Sequence, residues 1–383
     1  APRPGKDGWY EYFFRTNVSR APKVLEDGSL DYQNIDWFDT VKQEDKLAIY
    51  HPAEDGIDGY NVKGEVFPAI KGKDQQVLHG EGFLYNPENK TYYSKLDGWI
   101  ELEGEKLTVS SMMDVEEVNR ALGNITYDGT VHVKGNVASA VKIVATGDII
   151  VDGFVEEAYL ECDGNVMLKK GMNGGSKGYI KAGKNVEGKF LESVRVYAGG
   201  AIRMDYCLNS DVEAEGKIEM TKYSGAIVGG RVTSGKGIEA QNVGNDTGKR
   251  TYLKVGISKA ANARSVEVKQ KIRKIGEDIK LIKNNRAELE KKFNAAQLST
   301  MERYMKSEDA LFGLEKQLME LMAQRDEAEK VLDEARRGKV VINRRVYTGV
   351  DVELNGRHWT AKEINNVVVY TTAEGMIDIY RNH

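Results

Sequence analysis

Apolar and polar positions follow three successive patterns along the 383-residue chain. Between residues 120 and 256, short runs alternate Val or Ile with polar residues, as in GTVHV at 129, GDIIV at 147 and GNVML at 164. A glycine opens each run. The longer intervals, from Gly147 through Gly164, Gly183, Gly200 and Gly216 to Gly237, are 17, 19, 17, 16 and 21 residues. Period two sends Ile149 and Val151 to the same side of a strand. A repeat of this length means coils that stack on one another around one continuous core. Glycine is expected at the corners for its positive φ. The first steps, Gly123, Gly129 and Gly135, are six apart and resemble the hexapeptide of left-handed acyltransferase helices, but that spacing then breaks. Irregular coil lengths predict a right-handed parallel β-helix.

The second pattern is heptad. Ile272, Ile275, Ile279, Ile282, Leu289, Phe293 and Ala296 follow a 3–4 spacing that Arg286 interrupts. Leu311, Leu314, Leu318, Leu321, Ala328 and Leu332 repeat it, interrupted by Arg325. Two helices of roughly 30–35 residues are predicted, each about 50 Å long. Residues 264–292 carry ten basic and five acidic side chains, and residues 308–334 three basic and nine acidic. Opposite charges favour pairing with each other, so the connection makes an antiparallel hairpin that turns within 297–308. Its heptad faces satisfy each other and should need little from the β-helix. Arg286 and Arg325 are the candidate partner-binding residues: brought together across the pair, they form a site for an acidic partner. Otherwise both snorkel to water from the seam edge. After the hairpin, VVINRRVYTGVDVEL and NVVVYTTAEGMIDIY return to strand alternation.

Residues 1–119 mix turn signals such as Glu26-Asp27-Gly28 with short strand-like runs, KLAIY and WIELE among them. MDVEEVNRAL (113–122) is expected to form a helical turn or two. The predicted fold class is therefore mainly β: a right-handed parallel β-helix with an N-terminal α+β domain and an inserted antiparallel coiled-coil hairpin. The domains are 1–119 (α+β), 120–263 (β-helix), 264–338 (hairpin) and 339–383 (strands completing or capping the helix). The glycine and proline counts agree: 23 of 40 glycines fall between residues 120 and 260, and all six prolines lie at or before Pro87. Long ladders and long helices both exclude proline.

Composition narrows the function. A net charge of −4 gives no general electrostatic reason to expect nucleic acid. With only Cys162 and Cys207, no signal-peptide core and no 18-residue apolar run, a cytoplasmic protein without a membrane span is expected. VGNDTGKRT (243–251) approaches a phosphate-binding loop, but Arg250 stands where Ser or Thr is needed and a strand run, TYLKV, follows in place of a helix. GMNGGSKG (171–178) fails for the same reason. EDGIDGYN (54–61) invites a calcium reading, yet its spacing of three suits tight turns better than an EF-hand loop. The five histidines, His51, His79, His132, His358 and His383, form no zinc motif, and His132 reads as a solvated surface residue between Val131 and Val133. Both cysteines read as buried, unreactive thiols. Asp148, Asp152, Glu156 and Glu157 could serve a polysaccharide-acting β-helix, but a solvated face is the plainer account. No cofactor, metal or catalytic residue is expected.

Several stretches carry a resemblance across nearly the whole chain. LEDGSLDYQNID (25–36), DGIDGYNVKGEVFPAIKGKD (55–74) and LDGWIELEGEKLTV (96–109) come first. GNITYDGTVHVKGNV (123–137), ATGDIIVDGFVEEAYLECDGNV (145–166), IVGG (227–230), VGNDTGKRTYLKVG (243–256) and VYTGVDVEL (346–354) follow in order. Their order and spacing resemble the flagellar assembly protein A (FapA) family; VKQEDKLA (41–48) departs from it, with Glu44 at a place where the family commonly has glycine. The resemblance implies a bacterial, cytoplasmic protein linked to flagellar assembly or cell-pole organisation, with no catalytic residues to carry over. The expected function is a non-enzymatic scaffold that binds unidentified protein partners through the hairpin or a β-helix face, with a homo-oligomer left open. The alternative is a β-helix enzyme acting on carbohydrate or transferring an acyl group.

Overall fold

The computed structural model describes residues 1–16, 23–24, 30–31, 38–175, 177–220, 225–256, 259–372 and 375–381. The signature LEDGSLDYQNID, the turn at 26–28 and His383 fall largely or wholly outside them. The chain divides into two units, Ala1–Lys189 and Phe190–His383.

The first unit begins with two four-stranded sheets. In one, Lys46–His51 lies between Trp9–Tyr12 and Thr91–Ser94, which also pairs with Phe83–Asn86, all antiparallel. In the other, Gly98–Glu103 pairs antiparallel with Asp39–Val41 and Lys106–Ser110, and His79–Glu81 adds a parallel edge. The runs KLAIY and WIELE are thus strands, and their Leu47 and Ile100 share one core with Tyr92, Leu107 and Val109 of the neighbouring strands. The N-terminal region is β: no helix occurs among its described residues. Residues 113–122, expected to be helical, start instead inside the strand Met112–Val115, because Met113 and Val115 both face inward at period two. The Asn119 side chain then accepts from the amides of Ala121 and Leu122, a local turn that competes with helix. EDGIDGYN makes turns as expected: Asn61 Oδ1 accepts from Lys63 and Glu65, and Asp58 from Ala69.

From Met112 the first unit continues as parallel coils. Val131, Ile149, Val166 and Val186 stack directly on one another, as do Ile125, Ile143, Leu160 and Ile180, and all eight are fully buried. The inward assignment of Ile149 and Val151 holds. Most corner glycines serve a different purpose from the one expected. A Cβ on Gly147 would sit 2.7 Å from the Gly129 carbonyl carbon, and one on Gly164 would sit 2.6 Å from the Gly147 carbonyl oxygen. Coils pass too close for a side chain; positive φ decides by itself at Gly248 (φ +66°), where a Cβ would have open space around it.

Coils of the second unit stack in the same way, in rows Ile202–Ile218–Ile238–Val340 and Val196–Val212–Val232–Leu253–Val352. The step from Ile238 to Val340 spans a long excursion of the chain. It leaves after the strand Thr251–Val255 as helix α1 (Lys259–Lys292), turns through α2 (Ala295–Thr300) and returns as α3 (Glu302–Arg336) to the strand Lys339–Val346. The hairpin is therefore an insertion inside the coil stack. Val350–Leu354 still pairs in parallel, whereas Arg357–Thr360, Ile364–Thr371 and Ile377–Arg381 run antiparallel and close the end.

Candidate functional site

Side chains at heptad spacing build the arm. On α1 the seam runs Ser265, Val268, Ile272, Ile275, Ile279, Ile282, Arg286, Leu289; on α3 it runs Tyr304, Ser307, Leu311, Leu314, Leu318, Leu321, Arg325, Ala328, Leu332, Ala335, and each of these is buried or half-buried. Two helices cover only part of such a seam, so its residues keep some exposure. One flank is closed by ion pairs, Lys269–Glu329 at 3.2 Å and Lys283–Glu315 at 2.8 Å. The basic α1 and acidic α3 thus pair as their charges predict.

The turn comes earlier than expected, across residues 293–301. Asn294 caps α2: its side chain accepts from the Gln297 amide, while the Gln297 side chain accepts from the Asn294 amide. This capping box, N-A-A-Q, was the sequence signal that the heptad reading passed over.

Arg286 and Arg325 do not meet. Arg286 lies in the last two turns of α1, and Arg325 lies roughly six turns into α3. The turn sets the helix register, and Lys269–Glu329 places the Arg325 stretch of α3 beside the opposite end of α1. Nor does Arg286 snorkel, since its side chain is only 15% exposed. Its Nη1 donates to the Tyr304 carbonyl at 3.1 Å and to Ser307 Oγ at 3.0 Å, its guanidinium stacks 3.9 Å from the Tyr304 ring centre, and Glu308 stands 3.7 Å away. Tyr304 in turn donates to Glu290 at 2.7 Å, and that bond raises its phenol above the usual range. Arg286 is a latch for the tip. Arg325 is one-third exposed and donates to its own neighbour Asp326 at 2.7 and 3.0 Å.

At its base the arm is tied to the coils more firmly than self-sufficient heptads would require. Ser265 and Ala335 are buried, Lys236 pairs with Glu334 at 2.8 Å, and Asn355 Nδ2 donates to the Arg336 carbonyl at 2.8 Å.

The other candidates resolve into coil architecture. In VGNDTGKRT, Asn245 Oδ1 accepts from the Lys249 amide and the Thr247 hydroxyl, and the strand Thr251–Val255 follows where a phosphate loop would start a helix. His132 does leave the core, but it is clamped rather than solvated: Nδ1 is 2.9 Å from Asp114 and Nε2 is 3.3 Å from Asp152. Asp152 also binds Lys169 at 2.7 Å, and the hydrogen bond from Lys169 holds its carboxyl below the usual range. Asp148 accepts from Asn165 at 2.6 Å, and Asn165 accepts from Asn185, giving a polar ladder up one corner. Burial pushes the thiols of Cys162 and Cys207 up to about 11 and about 12, so both stay protonated at neutral pH as expected. Among the described residues, no group of three His, Cys, Asp or Glu side chains is placed to hold a metal.

Stacked parallel coils, outer polar ladders and one inserted coiled-coil arm define a β-solenoid protein that carries a helical projection. The solenoid segment and the region before it match family models separately: residues 111–377 match the Flagellar Assembly Protein A beta solenoid domain, and residues 1–105 the Flagellar Assembly Protein A N-terminal region. The chain belongs to the Flagellar Assembly Protein A family. Comparison with curated proteins and with solved structures yields no match. Among the described residues, no helix is long and apolar enough to cross a membrane.

Proposed function

We propose that this chain is a cytoplasmic, non-enzymatic scaffold serving flagellar assembly or cell-pole organisation, with the hairpin as its recognition arm. The observation that carries this reading is the insertion. The row Ile202–Ile218–Ile238–Val340 passes from one coil to the next across the excursion, so the helices add no strand to the stack. An arm that contributes no strand to the core but is latched at its tip and tied at its base suits the presentation of a surface. Within it, Arg325 offers a partly exposed guanidinium for an acidic partner, while Arg286 keeps the tip in shape. Family membership supports the flagellar context.

Complementation tests this. In cells, the native chain is replaced by one in which a short Gly/Ser linker substitutes for residues 272–322, and flagella are counted by electron microscopy at matched protein levels. Loss or misplacement of flagella is expected. Normal flagellation with a stable armless chain would refute the recognition role.

A further inference from the structure

One flank of the hairpin is left open. The interhelical ion pairs lie on one side, where Lys269 and Lys283 each stand one residue after a seam position. Lys271 and Asp278 stand one residue before a seam position, on the other side, and there the seam opens into a groove of about 450 Å³ floored by Ile275, Leu314 and Leu321. No interhelical ion pair closes this side among the described residues; Lys271 bonds back to Glu267 on its own helix. The rims differ in sign, with Lys274 on the α1 edge and Glu320 on the α3 edge, and neither has an ion-pair partner among the described residues.

We infer that the occupant of this groove is the same groove of a second copy, related by a two-fold axis parallel to the hairpin. This inference rests on the reading of the hairpin as a recognition arm and names the partner. Two hairpins can stack face to face in two symmetric ways. An axis across the hairpin lays α1 on α1 and α3 on α3, basic on basic and acidic on acidic. An axis along it lays α1 of each copy on α3 of the other. Every helix in the resulting four-helix bundle is then antiparallel to both neighbours and opposite to both in charge.

The second arrangement also fixes a register, because it opposes residues at equal height. Within one hairpin, Tyr304 on Glu290 and Arg286 on Ser307 set the levels. They put Lys274 level with Glu320, Leu281 with Gly313, and Glu288 with Lys306. Across the axis, Lys274 therefore meets Glu320 of the other copy, and Glu288 meets Lys306. Leu281, 60% exposed, meets Gly313, where a Cβ would have open space around it. A protruding leucine thus faces a position with room for it, and two charge pairs of opposite sense flank that contact. One pairing in the same row is unfavourable, Glu267 with Glu327, and Lys271 bound to Glu267 offsets it.

Sedimentation of the full chain tests the inference by rescue in trans. The native chain should dimerise, and Lys274→Glu or Glu320→Lys alone should weaken the dimer about tenfold, since each creates two like-charge contacts at partly exposed sites. Mixed in equal amounts, the two variants should recover native affinity. Each then carries like charges within its own hairpin, so only contacts between copies can restore the pairing. As a second probe, Leu281→Cys mixed with Gly313→Cys should give a disulfide-linked heterodimer, while the buried native cysteines stay silent. A native chain that is monomeric at all concentrations overturns the inference and leaves the arm free to recognise a different protein. A dimer indifferent to both charge reversals, or no rescue and no mixed disulfide, also overturns it, by moving the contact elsewhere or reversing its orientation.

Discussion

Replacing Arg286 by alanine should loosen the tip of the arm without unfolding the coils. The guanidinium makes two hydrogen bonds to α3, stacks on Tyr304, and is largely withdrawn from water. Charge-assisted hydrogen bonds contribute about 1.5–3 kcal/mol each before the cost of desolvating the cation, and a partly exposed cation–π contact about 0.5–1 kcal/mol. The Tyr304 carbonyl is not orphaned by the change, because Ser307 Oγ also donates to it at 2.6 Å. Net loss is therefore expected at about 2 kcal/mol, which corresponds to roughly thirtyfold faster opening of the tip. Amide hydrogen exchange should show that acceleration between residues 286 and 308 and nowhere in the solenoid. Arg286→Lys keeps the charge but not the fork, so its effect should be smaller. Arg286→Leu restores the apolar seam and should recover much of the protection. If Ala and native tips exchange alike, Arg286 is not a latch.

Three further outcomes follow from the coil stack. Ile149 is fully buried between Val131 and Val166, so Ile149→Asp should cost about 4–6 kcal/mol in denaturant unfolding, through a lost side chain and an unpaired carboxyl. Asp152→Lys should also destabilise, because it removes the carboxylate beside His132 and sets a second cation against Lys169, but by far less; equal effects would contradict the inward assignment. Hydrogen bonds from Lys217 hold Glu219 and Glu239 below the usual carboxylate value of 4.5. Their contribution is therefore complete above pH 4.5 and lost as pH falls through their lower folded values, and Lys217→Met should flatten that acid dependence in thermal melts. Thiol reagents at pH 8 should label Cys162 and Cys207 only at the rate of unfolding, since burial keeps both protonated; fast labelling of the native chain would refute this.

The solenoid was legible because its signal is local and repeated. Ile149 and Val151 announce their facing by alternation alone, and each later coil restates the pattern. Heptads and opposed charges revealed the arm for the same reason. What stayed hidden depends on partners far along the chain. Trp9–Tyr12 pairs with Lys46–His51, a choice that no spacing encodes. The clamp on His132 requires knowing that Asp114 lies one coil below it and that Asp152 reaches back. Arg286 and Arg325 looked equivalent as interruptions of two seams, yet a turn set by Asn294 and Gln297 separates them along the arm and gives them different neighbours. Positive φ holds at Gly123, Gly129 and Gly237, but at Gly147 and Gly164 the reason is the close approach of coils, a property of the stack and not of the single residue.

Circular dichroism of the purified chain with residues 272–322 replaced by a short Gly/Ser linker tests the central claim most directly. The cut leaves Ser265, Val268 and Ala335 in place, so the tie at the base survives. The account predicts that the helical signal falls while the β signal and a single cooperative melt persist. Disappearance of the β signal, or a melt without cooperativity, would mean that the arm is part of the core and not a projection from it.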